Sequence, residues 1–153
     1  KELIDKVLEY LPEDKCIFSV GDNNYNNHLS NYYNSDLQLD TFAFNGSTTT
    51  FESLTMGVPV LTLRGDTIMA NYGAGILTQA KLEAFIAKDK EDYVNKAVHY
   101  ANNPELLVDY RKNMREVNVK EYLSSVKPYF FIRTLKTLWR KYCKENTPTQ
   151  TVV

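Results

Sequence analysis

Apolar residues recur along this chain at two periods, and the alternation between them sets out the elements. Residues 2–11 carry Leu3, Ile4, Val7, Leu8 and Leu11 at the three- and four-residue spacing of a helix, and residues 16–20 follow as a short β-like run. A polar stretch over 21–27 leads into a helix holding Leu29, Tyr32 and Tyr33, and residues 37–42 read as a strand. Phe51, Leu54 and Met56 predict a short helix that Gly57 ends. Residues 58–63, VPVLTL, form a continuous apolar run suited to a strand covered on both faces. Residues 67–79 are apolar and small and read as helix, and 84–87 as a last short strand. Tyr93, Val94, Ala97, Val98 and Ala101 line one face of a further helix. Asn103, Pro104 and Glu105 supply a cap, a first-turn proline and a first-turn acid for the next one. Phe131, Leu135, Leu138 and Tyr142, spaced by four, three and four, mark a final helix over 128–145, and 146–153 reads as an unstructured tail.

Strands alternating with helices predict an α/β fold, a Rossmann-like parallel sheet with helices on both faces. With no internal repeat, residues 1–145 read as one lobe. The apolar stripe of the final helix needs a partner surface. Arg133, Lys136, Arg140 and Lys144 form a basic stripe on another face of it, which reads as a solvated face.

Composition narrows the function classes. Eighteen basic against nineteen acidic side chains give a net charge of −1, which favours neither nucleic acid nor an anionic membrane as a partner. Cys16 and Cys143 stand far apart, with no CxxC and no His/Cys cluster at metal-ligand spacing, so both read as reduced thiols of a cytoplasmic protein and no metal is expected. No window approaches eighteen apolar residues, and the first residues are amphipathic rather than signal-like. The chain begins with Lys1 rather than Met, which fits a piece of something longer.

The candidate chemistry lies between the second and third predicted strands, in NGSTTT. Where a strand of an open parallel sheet turns into a helix, unpaired amides and the positive end of the helix dipole face the carboxyl edge of the sheet and make an anion site. Asn45 and Gly46 permit the turn and a close backbone approach, and Ser47, Thr48 and Thr49 add hydroxyl donors suited to a diphosphate. There is neither GxGxxG nor GxxxxGK followed by Ser or Thr. The same residues admit a plain alternative: Thr49 and Glu52 have the spacing of a capping box, in which two side chains satisfy each other's backbone amides. The pattern alone does not choose between ligand and cap. Asp40 and Asp66 read as residues that stabilise their own turns, His28 as a surface or capping histidine, and His99 has no role.

LDTFAFNGSTTTFESLTMGVPVLTLRGDT, together with HLSNYYNSDLQLDT before it and GAGILT, FIAKDKEDYVNKAV and NPELLVDYRKNMRE after it, resembles the carboxyl-terminal catalytic lobe of the O-linked N-acetylglucosamine transferases, including their SPINDLY-like members. The likeness covers roughly residues 14–145. It implies one of the two Rossmann-like lobes of a GT-B glycosyltransferase that uses a UDP-sugar, usually UDP-N-acetylglucosamine, to modify Ser or Thr hydroxyls of proteins without a metal. By position it implies that Gly46, Ser47, Thr48 and Thr49 surround the donor pyrophosphate, that Glu52 accepts hydrogen bonds from the ribose, and that His28 contacts the nucleotide.

The departures remove positive charge. Ser47 stands where the family has histidine, Tyr25 where it has a basic residue, and Asn71 where it has arginine, whereas Arg64 replaces a proline and is a candidate for the diphosphate's missing cation. The resemblance places the acceptor protein and any general base on a missing amino-terminal lobe, onto which the final helix packs back, so no catalytic residue is assigned to this chain. Another nucleotide-sugar enzyme of the same architecture, such as an epimerase, and a degenerate lobe kept as a protein-binding module stand as alternatives.

Overall fold

The structure is a computed structural model and describes residues 2–18, 24–125 and 128–146. The chain divides into two compact units, residues 1–35 and 36–153. The first holds helix α1 (Glu2–Leu8), a 3-10 turn (Glu13–Lys15), helix α2 (Tyr25–Ser30) and a second 3-10 turn (Asn31–Asn34). The helix expected over 2–11 thus stops early. No strand forms over residues 16–18, and 19–20 of that expected strand lie outside the described residues. Asn24 caps α2, its side-chain oxygen accepting from the Asn26 amide at 3.0 Å.

In the second unit, β1 (Gln38–Leu39), β2 (Val60–Leu63) and β3 (Ile86–Ala87) make a parallel sheet in the order β1-β2-β3. Gln38 pairs with Val60 and Leu39 with Leu61 on one side of β2, and Thr62 with Ile86 and Leu63 with Ala87 on the other. The crossovers are α3 (Thr48–Thr55) between β1 and β2, and α4 (Tyr72–Gln79) between β2 and β3. Because the strand order advances in one direction, right-handed crossovers put both helices on one face. Side-chain alternation along β2 agrees: Val60 points into a cluster with Leu54 of α3 and Leu77 of α4, while Leu61 points into a second cluster with Ala87 and Tyr93. Tyr93 belongs to α5 (Lys90–Asn102), which covers the other face. The expected doubly covered parallel sheet is present, with shorter strands than the apolar runs predict.

One helix assignment needs correcting. On α5 the buried face carries Tyr93 and Tyr100 with Ala97 partly covered, whereas Val94 and Val98 are exposed. The helix is rotated because Lys96 donates to the Ala84 and Ile86 carbonyls at 2.8 and 2.9 Å, so a long polar side chain occupies the inward edge. The next helix, α6 (Glu105–Asn113), follows Pro104 directly, and the Asn103 side-chain amide donates back to the His99 carbonyl at 2.7 Å. A single π turn (Met114–Val119) joins α6 to α7 (Lys120–Ser125) and buries Met114 and Val119 in the first core cluster.

The last helix, α8 (Pro128–Glu145), has the expected bounds and buries no residue, so Phe131, Leu135, Leu138, Trp139 and Tyr142 are all exposed. No described helix is long and apolar enough to cross a membrane.

Candidate functional site

β1 ends at Leu39, and the chain turns through residues 40–47 before α3 begins at Thr48. That turn is built around Asp40, which is only 6% exposed. One carboxylate oxygen accepts from the amides of Thr41 (2.9 Å) and Gly46 (2.7 Å), and the other accepts from the Thr62 hydroxyl of β2 (2.7 Å). The Asp40 carbonyl accepts from the Tyr93 hydroxyl at 2.9 Å. Burial, with the Asp40 charge beside it, pushes the Tyr93 phenol up to about 12, so it stays a donor across the physiological range.

Asn45 closes the turn from the other side. Its amide donates to the Met69 carbonyl at 3.0 Å and its side-chain nitrogen to the Thr41 carbonyl at 2.9 Å. Ala43, at φ 65, lies in the left-handed region, where a Cβ is strained. Two glycines let the chain close on Asp40. A Cβ on Gly46 would lie 2.6 Å from the Thr49 hydroxyl oxygen and 2.8 Å from that of Thr50, and one on Gly73 would lie 2.6 Å from both the second Asp40 oxygen and the Thr62 hydroxyl.

The three threonines are sorted by this packing. Thr50 is fully buried, its hydroxyl donating to the Gly46 carbonyl at 3.0 Å, whereas Ser47, Thr48 and Thr49 are exposed at the first turn of α3. Helix geometry leaves first-turn amides without intrahelical partners, so this turn presents amides and hydroxyls together at the carboxyl edge of the sheet. The Gly46 amide is taken by Asp40, and the missing Cβ leaves the space that the turn needs beside Thr49 and Thr50.

Ser47 stands at the N-cap position of α3, so Thr49 and Glu52, the pair with capping-box spacing, both lie within the helix. Glu52 is half-buried one turn further along α3.

Arg64 follows β2 directly, and its amide donates to the Ala87 carbonyl at 3.1 Å, which continues the ladder to the same sheet edge. Its side chain is exposed. Asn71, where the resemblance expects arginine, is committed to the backbone: its side-chain nitrogen donates to the Gly65 and Thr67 carbonyls. Beside this loop an open groove of about 520 Å³ runs along α4, lined by Thr67, Asn71, Tyr72, Gly75, Ile76 and Tyr122 among others.

His28 belongs to the first unit, where its ring lies between Tyr25 (centroids 6.2 Å apart, stacked) and Tyr32 (5.6 Å, edge-on). Gly46, Ser47, Thr48, Thr49 and Glu52 are therefore brought together on one turn and helix, with Arg64 at the end of the neighbouring strand. Asp40, read from the sequence as stabilising its own turn, does so through Thr41 and Gly46 and also reaches Thr62 and Tyr93, which no local pattern signals.

The chain is similar to known proteins over most of its length. A protein from Eustoma exaltatum subsp. russellianum named "Probable UDP-N-acetylglucosamine--peptide N-acetylglucosaminyltransferase SPINDLY" is 36% identical over 124 residues, which cover 80% of this chain and 14% of that protein. A protein of the same name from Hordeum vulgare is 35% identical over 125 residues, covering 79% and 13%. The chain thus spans about one-seventh of the length of these relatives. Among solved structures, a mutant of the Thermobaculum terrenum O-GlcNAc transferase superposes with a TM-score of 0.71 at 26% identity, over 82% of this chain and 25% of that one. The family model for glycosyl transferase family 41 matches residues 4–132, and the chain belongs to that family.

Proposed function

We propose that this chain is the donor-binding lobe of a glycosyltransferase that moves N-acetylglucosamine from its UDP donor to Ser or Thr hydroxyls of proteins. The observation that carries the reading is the exposed first turn of α3, where Ser47, Thr48 and Thr49 present amides and hydroxyls at the carboxyl edge of a parallel sheet. Family membership and the names of the relatives supply the donor and acceptor classes.

In the transfer, the bond between the sugar's anomeric carbon and the diphosphate oxygen breaks. A bond to the acceptor oxygen forms, and the acceptor's proton leaves to a base. Negative charge grows on the departing UDP, and oriented amides, hydroxyls and the Arg64 guanidinium stabilise it without rearranging at the moment of reaction. The reading gives this task to side chains and helix amides rather than to a metal, so transfer persists in EDTA. Glu52 accepts from the ribose hydroxyls. The base and the acceptor site belong to the remainder of a longer protein, as does the surface that covers the apolar stripe of α8.

Calorimetric titration with UDP tests the reading. Changing Thr48 and Thr49 to Ala removes two donors worth on the order of 1 kcal/mol each, so UDP binds roughly tenfold or more weakly. Unaltered affinity would put the donor elsewhere. No UDP binding by the unmodified chain would instead favour a lobe kept as a protein-binding module, the reading that the losses of charge at Ser47, Tyr25 and Asn71 favour.

A further inference from the structure

We infer that Asp40 is the positioning residue of the diphosphate turn. By holding the Gly46 amide, it aims the next amides, those of Ser47, Thr48 and Thr49, outward as the ones that meet the anion. The inference rests on the function proposed above and adds the residue that shapes its site.

Three features separate Asp40 from an aspartate that merely caps its own turn. It joins three parts of the fold through its carboxyl group and its carbonyl: Thr41 and Gly46 on the turn, Thr62 on the neighbouring strand, and Tyr93 on α5. Capping its own turn needs only the first of these. The site is also closed by exclusion, because Gly73 approaches the carboxylate so nearly that a Cβ on it would stand 2.6 Å from the second oxygen. The start of α4 thereby holds the carboxylate in place from behind. Finally, the Gly46 amide is the last one before the N-cap of α3, so fixing it at 2.7 Å sets the direction in which the chain enters the helix. An amide left unheld there would be free to turn towards the ligand and carry the Ser47 amide away from it.

A carboxylate suits this task because its two oxygens accept from three donors at once. An asparagine can do most of the same work, its oxygen accepting from Gly46 and its nitrogen donating to the Thr62 hydroxyl, which can reverse its role. Position rather than charge is what the site requires, and this separates the inference from a purely electrostatic one.

The test is titration of the full 153-residue chain with UDP and with uridine, comparing Asp40→Ala, Asp40→Ser and Asp40→Asn. Uridine lacks the diphosphate and so reports on folding and on the nucleoside contacts alone. Asp40→Ala, and Asp40→Ser with a side chain too short to reach Gly46, weaken UDP about tenfold or more while uridine stays within about threefold. Asp40→Asn keeps the ratio of the two affinities within about threefold of the unmodified chain. A ratio unchanged in the Ala and Ser variants, or equal losses for both ligands, overturns the inference and leaves the donor site standing. If neither loss variant folds, Asp40→Asn decides, since a tenfold loss confined to UDP would show that charge rather than position matters. If the unmodified chain binds uridine but gains nothing from the diphosphate, the proposed function fails at this turn and the inference fails with it.

Discussion

Gly73 and Gly75 sit two residues apart on α4, and the packing around Asp40 predicts opposite effects for the same substitution at the two. Replacing glycine by alanine inside a helix stabilises it by roughly 0.5–1 kcal/mol, and this gain is common to both positions. At Gly75 a Cβ meets nothing within 4 Å, so the gain stands alone. At Gly73 the Cβ lies 2.6 Å from the second Asp40 oxygen, 2.6 Å from the Thr62 hydroxyl oxygen and 3.1 Å from the Thr62 Cβ. The two oxygens are bonded to each other at 2.7 Å, and Thr62 is fully buried on β2, so neither can move away without breaking that bond. Overpacking costs about 1–3 kcal/mol and loss of a hydrogen bond to a charged group about 1.5–3 kcal/mol. After subtraction of the helix gain, Gly73→Ala destabilises by about 2–5 kcal/mol, which lowers the melting temperature by on the order of 10 °C, whereas Gly75→Ala raises it by a few degrees. Thermal denaturation followed by far-ultraviolet circular dichroism measures both. A Gly73→Ala protein as stable as Gly75→Ala would refute the close packing of α4 on Asp40, and with it the rigidity assigned to the turn.

Alkaline unfolding tests the Tyr93 contact. Its phenol is raised from 10.0 to about 12 in the folded chain, so the stability it contributes is fully present below pH 10 and is lost as pH rises from 10 to about 12, a loss of about 2–3 kcal/mol that Tyr93→Phe abolishes. Tyr100, raised in the same direction by burial, leaves a residual slope in that variant. Lys81 follows α4 at φ 57, and the Leu82 amide closes on the Leu77 carbonyl at 2.8 Å, a helix ending in which glycine avoids the Cβ strain. Lys81→Gly therefore stabilises by about 0.5–1 kcal/mol in urea denaturation. Arg64→Ala weakens UDP far more than uridine if the guanidinium meets the diphosphate, and equal effects on the two ligands in parallel titrations would remove it from the site.

Much of this architecture was legible because its signals are local. The run 58–63 reads as a strand covered on both faces, and Val60 and Leu61 do enter separate core clusters on opposite sides of the sheet. Gly57 ends α3 at φ 82, as its position after Met56 predicts. Strand lengths were less legible, because an apolar run records burial while a strand also needs pairing. Residues 40–42 leave β1 when Asp40 turns its carboxylate towards Gly46. The face of α5 was misread because Lys96, polar by type, buries its stem to reach two carbonyls.

The candidate site divides along the same line. Three consecutive threonines are visible in any reading of the sequence, but which of them faces solvent depends on the Gly46 carbonyl capturing the Thr50 hydroxyl. Asp40 was assigned only to its own turn because its other partners, Thr62 and Tyr93, stand 22 and 53 residues away, beyond any local window. The resemblance carried Gly46 over as a ligand-contacting residue, and the packing changes what that carry-over means. The Gly46 amide already serves Asp40, and the glycine leaves room for the Thr49 and Thr50 hydroxyls. A family pattern thus records that a small residue belongs at this position, and only the hydrogen-bond partners reveal that its amide serves the turn through Asp40 while its smallness leaves room for the threonines.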